Sequence, residues 1–251
     1  MLAKRIIPCL DVMDNQVVKG VNFKNLSQVG DPLQLAKKYD QQKADELVFL
    51  DISATNEKRH LQLELATKLA RNIFIPFAIG GGLNNLKDII ALVKTGADKV
   101  VINSAAFKNP KLITQAAKEL GSQCIVVAID IKHNSTFHEV FINAGKTPTG
   151  VEASEWAKQV EQAGAGEIIL TSMDRDGTKA GFDLAITHQI STSLSIPLIA
   201  SGGVGELQHF LEGFTKASAD GALAASVLHS GKFSIMDIKA YLNSHNIPVR
   251  L

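Results

Sequence analysis

Two aspartates have the residue type and position for proton transfer. Asp11 and Asp130 are the next-to-last residues of the similar apolar segments "RIIPCLDV" at 5–12 and "CIVVAIDI" at 124–131. Burying a carboxylate at the end of an apolar strand costs free energy, so a carboxylate at such a position indicates a function. Each aspartate alone would more simply cap the following loop, but a matched pair favours a proton donor and a proton acceptor on either side of one substrate.

Two glycine turns recur at nearly the same spacing as the aspartates. "IPFAIGGGL" at 75–83 resembles "IPLIASGGV" at 196–204, and residues Asn103-Ser104 and Ala225-Ser226 end the next apolar segments. Glycine lets backbone N–H groups approach a phosphate closely. One such turn is weak support, since turns need glycine anyway. The pair suggests a long substrate with a phosphate at each end and its reacting centre between the carboxylates.

Three further residues are candidates for substrate contact. In "TSMDRDGTKAGFD" at 171–183, Thr171 can hydrogen-bond a substrate, and Asp176-Gly177 can turn backbone amides toward the second phosphate. A plain polar loop is an equally weighted alternative. Lys19 can close over a phosphate, although most lone lysines simply solvate a loop. The seven histidines show no metal-ligand spacing and receive no role.

The elements that position these residues form an internal repeat. "DELVFLDIS" at 45–53 resembles "GEIILTSMD" at 166–174, and "ADKVVINSAAF" at 97–107 resembles "ADGALAASVLH" at 219–229. With the aspartate and glycine segments, four segments recur in the same order. We therefore expect one domain over 1–251, built from half-barrels of about 1–121 and 122–251.

The eight repeated segments predict the fold class. They are short, apolar and without alternation, as parallel strands buried on both faces are. Helical stretches lie between them, including one from Asp31 with Pro32 in its first turn and one from Asn109 that stops at Gly121. Eight alternations in about 250 residues predict a (β/α)8 TIM barrel with a two-fold internal half-barrel repeat. A doubly wound open sheet is the alternative.

Two connections are longer than usual, 12–30 after the first strand and 131–152 after the fifth. Long loops at the carboxyl end of a barrel are usually lids or substrate contacts. The second is expected to form a small hairpin around "NAGK".

Four charged residues stand at the starts of predicted strands: Arg5, Glu46, Lys99 and Glu167. Counting by twos, Arg5 shares a face with Asp11, and Glu167 shares one with Thr171. If those faces point inward, the charges close the floor of the barrel. Simple solvation is an equally weighted interpretation; an ion-paired ring would be a stabilising plug or a gate for a small molecule.

Composition excludes several classes of partner. The net charge of +1 leaves no broad basic field for nucleic acid or an anionic membrane. No apolar run approaches the ~18 residues of a membrane span. The N-terminus lacks a signal peptide, and Cys9 and Cys124 lack metal-ligand spacing. A reduced cytoplasmic protein is expected.

Taken together, these motifs resemble a known family, the cyclase subunit of imidazole glycerol phosphate synthase from histidine biosynthesis. The similarity runs from "MLAKRIIPCLDV" through "GAGEIILTSMDRDGTKAGFD" to "GALAASVLH" and covers essentially the whole chain. It implies ammonia-dependent cleavage of phosphoribulosyl-formimino-aminoimidazole carboxamide ribonucleotide. The products would be imidazole glycerol phosphate and aminoimidazole carboxamide ribonucleotide, with no metal or organic cofactor.

The resemblance also implies residue roles. Asp11 and Asp130 match the acid–base pair, and Lys19 matches the active-site loop lysine. One phosphate site matches Gly82, Asn103 and Ser104; the other matches Asp176, Gly177, Gly203, Ala225 and Ser226. The floor charges match those that face a glutaminase subunit, which supplies ammonia through the barrel. "DNQ" at 14–16 departs from the common "DG" pair.

Three alternatives stay open. A sister isomerase of the same pathway is a similarly duplicated barrel that acts on a related bisphosphate, but the floor charges and "DRDGTKAGFD" disfavour it. A related enzyme with a glutaminase partner acts on a sugar nucleotide. A non-catalytic scaffold would have no use for both aspartates and both phosphate turns.

Overall fold

The computed structural model describes residues 2–21, 24–52 and 59–251. Its strands, in chain order, are β1 (Arg5–Met13), β2 (Gln16–Val21), β3 (Lys24–Gly30), β4 (Leu47–Asp51), β5 (Phe77–Gly80), β6 (Lys99–Ile102), β7 (Ile125–His133), β8 (His138–Ile142), β9 (Thr147–Glu152), β10 (Glu167–Ser172), β11 (Leu198–Ser201) and β12 (Gly221–Ala224). Its helices are α1 (Pro32–Gln41), α2 (Arg59–Ala70), α3 (Leu86–Lys94), α4 (Ser104–Lys108), α5 (Lys111–Leu120), α6 (Ala153–Gln162), α7 (Leu184–Ser191), α8 (Leu207–Thr215), α9 (Ser226–His229) and α10 (Ile235–Ser244).

Eight of the strands close into a parallel barrel, which confirms the predicted fold class. The order around the barrel is β1, β4, β5, β6, β7, β10, β11 and β12. The last strand pairs with the first, with Arg5 opposite Gly221 and Pro8 opposite Ala224. This pairing leaves no open edge, so the doubly wound alternative is wrong.

The barrel has an inner and an outer apolar layer, because its strands are apolar on both faces. The inner layer takes at least one buried residue from every barrel strand: Ile7, Cys9, Val48, Ala78, Val101, Val126, Ile169, Ile199 and Leu223. A larger cluster lies between the strands and the surrounding helices. Packing on both sides fixes the strand ends that carry the candidate site.

The helix boundaries follow local sequence signals with one exception. Asp31 Oδ1 accepts the N–H of Gln34 at 2.9 Å, and Pro32 opens α1, as predicted. α5 ends at Gly121 as predicted, with φ at 89°. The helix start predicted at Asn109 is wrong, because the N–H of Asn109 bonds to Ala105 O and caps the end of α4, and α5 begins only after Pro110. Within the described residues, no helix is both long and apolar enough to cross a membrane.

Both long connections contain antiparallel strands. β2 pairs with β1 and β3, and β8 pairs with β7 and β9. The turn between β8 and β9 is residues 143–146, so the hairpin expected around "NAGK" is confirmed. Each hairpin extends the carboxyl end of its barrel strand, the end at which barrel active sites lie.

Candidate active site

The carboxyl ends of the barrel strands surround a central cavity of about 460 Å³. All eight barrel strands, or the residues directly after them, contribute to its wall. Among the predicted site residues, the structure brings these to the lining: Asp11, Gly82, Asn103, Ser104, Asp130, Thr171, Asp176 and Ala225. Both aspartates and all three residues of the first predicted phosphate site therefore share one compartment.

Four predicted residues lie outside this lining: Lys19, Gly177, Gly203 and Ser226. Gly177 directly follows Asp176, and Ser226 begins α9 directly after Ala225, so both stay beside the cavity. Lys19 lies in β2, opposite Ser27 of β3. The second predicted phosphate site is thus less fully assembled on the cavity wall than the first.

Asp11 is held by β1, where it pairs with Val18 on one side and Leu50 on the other. Cys9 Sγ lies 3.9 Å from Asp11 Oδ1. Burial, with a smaller contribution from the negative charge of Asp176, raises the pKa of Asp11 to about 6. This carboxyl can therefore exist in either protonation state near neutral pH.

Asp130 has a similar acidity but a different partner. Asn103 Nδ2 donates a hydrogen bond to Asp130 Oδ2 at 2.9 Å, which lowers the pKa of the carboxyl. Burial outweighs that bond, and the charge of Asp176 adds to burial, so the pKa of Asp130 rises to about 6. Two carboxyls with raised pKa values at one cavity are suited to act as an acid and a base.

Asp176 links the two candidate catalytic groups electrostatically. Its charge raises the pKa of both Asp11 and Asp130, and burial raises its own pKa. Sequence reasoning placed Asp176 only at a phosphate turn. Its proximity to the pair had no signal in the sequence, because it depends on how the loop after β10 folds over the cavity.

The glycine turns have a packing requirement of their own. Gly81 has φ at 113°, and a Cβ there would lie 2.2 Å from Asp51 O. Gly202 has φ at 91°, and a Cβ there would lie 2.7 Å from Ser172 O. Asp51 ends β4 and Ser172 ends β10, so each turn folds tightly over the end of the preceding barrel strand. Only glycine permits both this conformation and this approach.

Ser104 connects the first predicted phosphate site to the β8–β9 hairpin. Its Oγ accepts the N–H of Asn143 at 2.8 Å and donates to Asn103 Oδ1 at 3.2 Å. The lining residues that sequence reasoning missed include Asp51, Lys108, Asn143 and Ala144. The "NAGK" turn could have indicated the hairpin tip, but nothing in the pattern marks Asp51 or Lys108.

His229, which had no predicted role, supports the wall of the cavity. Its Nε2–H donates to Cys9 O at 3.0 Å, and its Nδ1 accepts the hydroxyl of Tyr39 at 2.6 Å. Burial lowers the pKa of His229 to about 4, so the ring is neutral and its Nδ1 can accept the hydrogen bond from the tyrosine hydroxyl. The contact fixes α9 and α1 against the strand that carries Asp11.

At the opposite end of the barrel, the four floor charges form a closed ring. Arg5 pairs with Glu46 at 3.0 Å and with Glu167. Lys99 pairs with Glu46 at 2.9 Å and with Glu167 at 2.8 Å. Both glutamates are only 3% exposed. The interpretation of the four charges as an ion-paired ring is therefore correct, and the interpretation as simply solvated charges is wrong. Glu46 Oε1 is buried without a hydrogen-bond partner among the described residues.

Fold and cavity together define a (β/α)8-barrel protein whose candidate catalytic site lies at the carboxyl ends of the strands. A family model described as "Histidine biosynthesis protein" matches residues 5–234. Imidazole glycerol phosphate synthase subunit HisF from a Hydrogenobaculum species is 57% identical, and the subunit of the same name from Methanoregula boonei is 51% identical, with 100% of both chains covered in each case. The chain belongs to the histidine biosynthesis protein family.

Proposed function

We propose that this protein is the cyclase subunit of an imidazole glycerol phosphate synthase. In this reaction ammonia and phosphoribulosyl-formimino-aminoimidazole carboxamide ribonucleotide yield imidazole glycerol phosphate and aminoimidazole carboxamide ribonucleotide. The observation that carries the proposal is the placement of Asp11 and Asp130 in one cavity that also includes the Gly82 turn. Full-length similarity to two HisF subunits supports the same activity.

In the proposed mechanism the two aspartates act in opposite protonation states. With pKa values of about 6, one carboxyl can hold a proton for a leaving nitrogen while the other accepts a proton during attack and ring closure. Asp176 supports this division, since an added negative charge makes full ionisation of the pair less favourable. Asn103 would keep Asp130 oriented through its amide bond.

The phosphates would anchor the two ends of the substrate. One would lie against Gly82, Asn103 and Ser104, and the other near Asp176, Gly177, Gly203, Ala225 and Ser226, with Lys19 closing over the bound molecule. Holding both ends places the reacting centre between the carboxylates. Binding in this orientation lowers the entropic part of the activation barrier.

The charged floor would receive ammonia from a glutaminase subunit. Leu2 and Phe74 precede β1 and β5 at this same end of the barrel and are 91% and 92% exposed, so each side chain offers an apolar contact to a partner. Ammonia passing the ring formed by Arg5, Glu46, Lys99 and Glu167 can donate an N–H to the unpartnered Glu46 Oε1. Both relatives are named as subunits of a synthase, which supports the proposal that this chain works together with another subunit.

The test uses the purified chain with the formimino-ribonucleotide and an ammonium salt at mildly alkaline pH. Mass spectrometry should detect imidazole glycerol phosphate and aminoimidazole carboxamide ribonucleotide in equal amounts. An isomerised ribonucleotide in their place would assign the sister activity. Tight binding of the ribonucleotide without conversion, with ammonium saturating, would contradict the proposed enzyme activity.

The partner proposal has a separate test. Phe74→Ser should weaken binding of a glutaminase subunit, measured by calorimetry, because an exposed apolar contact is lost. Ammonia-dependent turnover should stay at the wild-type value, because Phe74 is remote from the cavity. Unchanged affinity for the glutaminase would remove Phe74 from the interface.

A further inference from the structure

The charges of the central cavity are poorly matched to a substrate with two phosphates. Among the described lining residues there are four carboxylic acids, Asp11, Asp51, Asp130 and Asp176, and one cation, Lys108. Carboxylates repel a phosphate, and a glycine turn supplies only partial positive charge. The position of the single lining ammonium therefore decides where the first phosphate is most favourably held.

Lys108 lies beside the first predicted phosphate site. It ends α4, the helix that begins at Ser104. Residues four apart on a helix lie on the same face, so the lysine follows Ser104 along the cavity side of α4. Both residues line the cavity together with Gly82 and Asn103.

The hairpin tip holds both polar groups at this edge. Asn143 donates its N–H to Ser104 Oγ at 2.8 Å, and its Oδ1 accepts from Lys108 Nζ at 3.1 Å. Asn143 Nδ2 in turn donates to Thr147 Oγ1 at 3.1 Å, which fixes the amide within the hairpin. Asn143, in the turn of the β8–β9 hairpin, thus holds the Ser104 hydroxyl and the Lys108 ammonium at the same edge of the cavity.

The lysine is also free to change partners at little cost. Its side chain is exposed, and the contact with Asn143 joins it to a neutral amide oxygen. No salt bridge to a carboxylate is formed by Lys108 within the described part of the chain. A phosphate is a stronger acceptor than an amide, since a charge-assisted hydrogen bond is roughly twice as strong as a neutral one.

In the part of the chain that the structure describes, the helix position equivalent to Lys108 at the opposite end of the cavity holds no cation. Ser226 corresponds to Ser104 in the internal repeat, and Ser230, the C-cap residue directly after α9, stands at the position equivalent to Lys108. Ser230 donates its hydroxyl to Val227 O at 3.2 Å, within its own helix. The two ends of the cavity therefore differ in charge at this pair of equivalent positions.

We propose that Lys108 is a substrate-binding residue, whose ammonium leaves Asn143 and pairs with the substrate phosphate at the Gly82–Ser104 end of the cavity. This inference rests on the proposed function, which supplies a substrate with a phosphate at each end. Lys108 thereby makes the two phosphate ends unequal and favours one direction of substrate binding. It acts on affinity and orientation and takes no part in proton transfer.

The test compares Lys108→Gln, Lys108→Arg and the control Lys111→Gln in ammonia-dependent turnover. Lys111 is an exposed lysine that begins α5 and lies outside the cavity lining. Lys108→Gln should raise KM about five- to tenfold, as expected for loss of one partly exposed charge-assisted contact, with kcat within about twofold. Lys108→Arg should restore most of the affinity, and KM of Lys108→Gln should depend less on salt than that of the wild type.

Two results would overturn the inference. One is a KM for Lys108→Gln equal to that of Lys111→Gln; the other is a loss confined to kcat. If the wild type itself does not convert the ribonucleotide, the proposed function fails, and Lys108 is judged by calorimetric titration with inorganic phosphate. Weaker phosphate binding by Lys108→Gln than by Lys111→Gln would then support the site, and equal binding would refute it.

Discussion

Replacing Asp130 by asparagine should make the protein more stable and nearly inactive. The pKa of Asp130 rises from 3.8 to about 6, chiefly through burial. A shift of about two pKa units corresponds to about 3 kcal/mol between the two protonation states. Asparagine keeps the shape and still accepts a hydrogen bond from Asn103, but it carries no buried charge.

The sign of the pH dependence follows from proton binding. Between pH 3.8 and about 6 the folded state of the wild type binds more protons at Asp130 than the unfolded state. The stability of the wild type relative to Asp130→Asn therefore falls as pH rises through this window. The variant should be more stable by up to about 3 kcal/mol at pH 8, and the difference should vanish near pH 3.5.

Urea unfolding at these two pH values measures the stability effect, and ammonia-dependent turnover at pH 8 measures the catalytic one. Turnover should fall by about 10²–10⁴, the usual contribution of a general acid or base. Asp174→Asn is the matched control, because Asp174 is exposed and Asn can keep its bond to the N–H of His133. Two results would refute the assigned pKa and its cause. One is an Asp130→Asn variant less stable than the wild type at pH 8; the other is a difference in the free energy of unfolding that is the same at both pH values.

Three further changes test other parts of the structure. Lys239 is fully buried and donates to Asp45 Oδ1 at 2.8 Å and to Arg250 O at 2.7 Å, so Lys239→Met should lower the free energy of unfolding by about 3–5 kcal/mol. Exposed Lys216→Met should change it far less in the same urea titration. Lys99→Met leaves Glu46 and Glu167 facing each other with one cation fewer. Lys99 lowers the pKa of Glu46, so its removal raises that pKa further above the unfolded value, and calorimetric melting should show a larger loss of stability at pH 8 than at pH 5. Gly202→Ala should lower the free energy of unfolding by about 2 kcal/mol or more, because φ is positive and the added Cβ would meet Ser172 O. Gly150→Ala is the control: its φ is also positive, at 74°, but the space around it is open. It should show only the cost of the positive φ, about 1 kcal/mol, in the same urea titration.

The barrel could be predicted because its signal is spread over the whole chain. Eight apolar segments without alternation indicate parallel strands, and their repetition favours closure into a ring. The charged floor was also accessible, since Arg5 and Asp11 share a strand face by parity. The interpretation of the chain as half-barrels 1–121 and 122–251 stays a prediction; the order of strand, hairpin and three strands, from β1 to β6 and again from β7 to β12, is consistent with it.

The missed features depend on contacts between distant segments. The influence of Asp176 on Asp11 and Asp130 comes from a loop folded over the cavity, and the contact of Lys108 with Asn143 joins α4 to a hairpin 35 residues later. Neither of these interactions produces a hydrophobic periodicity or a motif in the sequence. Asn109 misled the helix prediction because the same Asn-Pro pattern that starts one helix can also end the one before it.

The most direct test of the two-carboxylate mechanism is a single-turnover reaction with ¹⁵N-labelled ammonium, followed by mass spectrometry. Wild-type protein should place the label in imidazole glycerol phosphate and release an equal amount of unlabelled aminoimidazole carboxamide ribonucleotide. Asp11→Asn and Asp130→Asn should bind the ribonucleotide but form neither product at the wild-type rate. Labelled product formed at an undiminished rate by either variant would contradict acid–base catalysis by this pair.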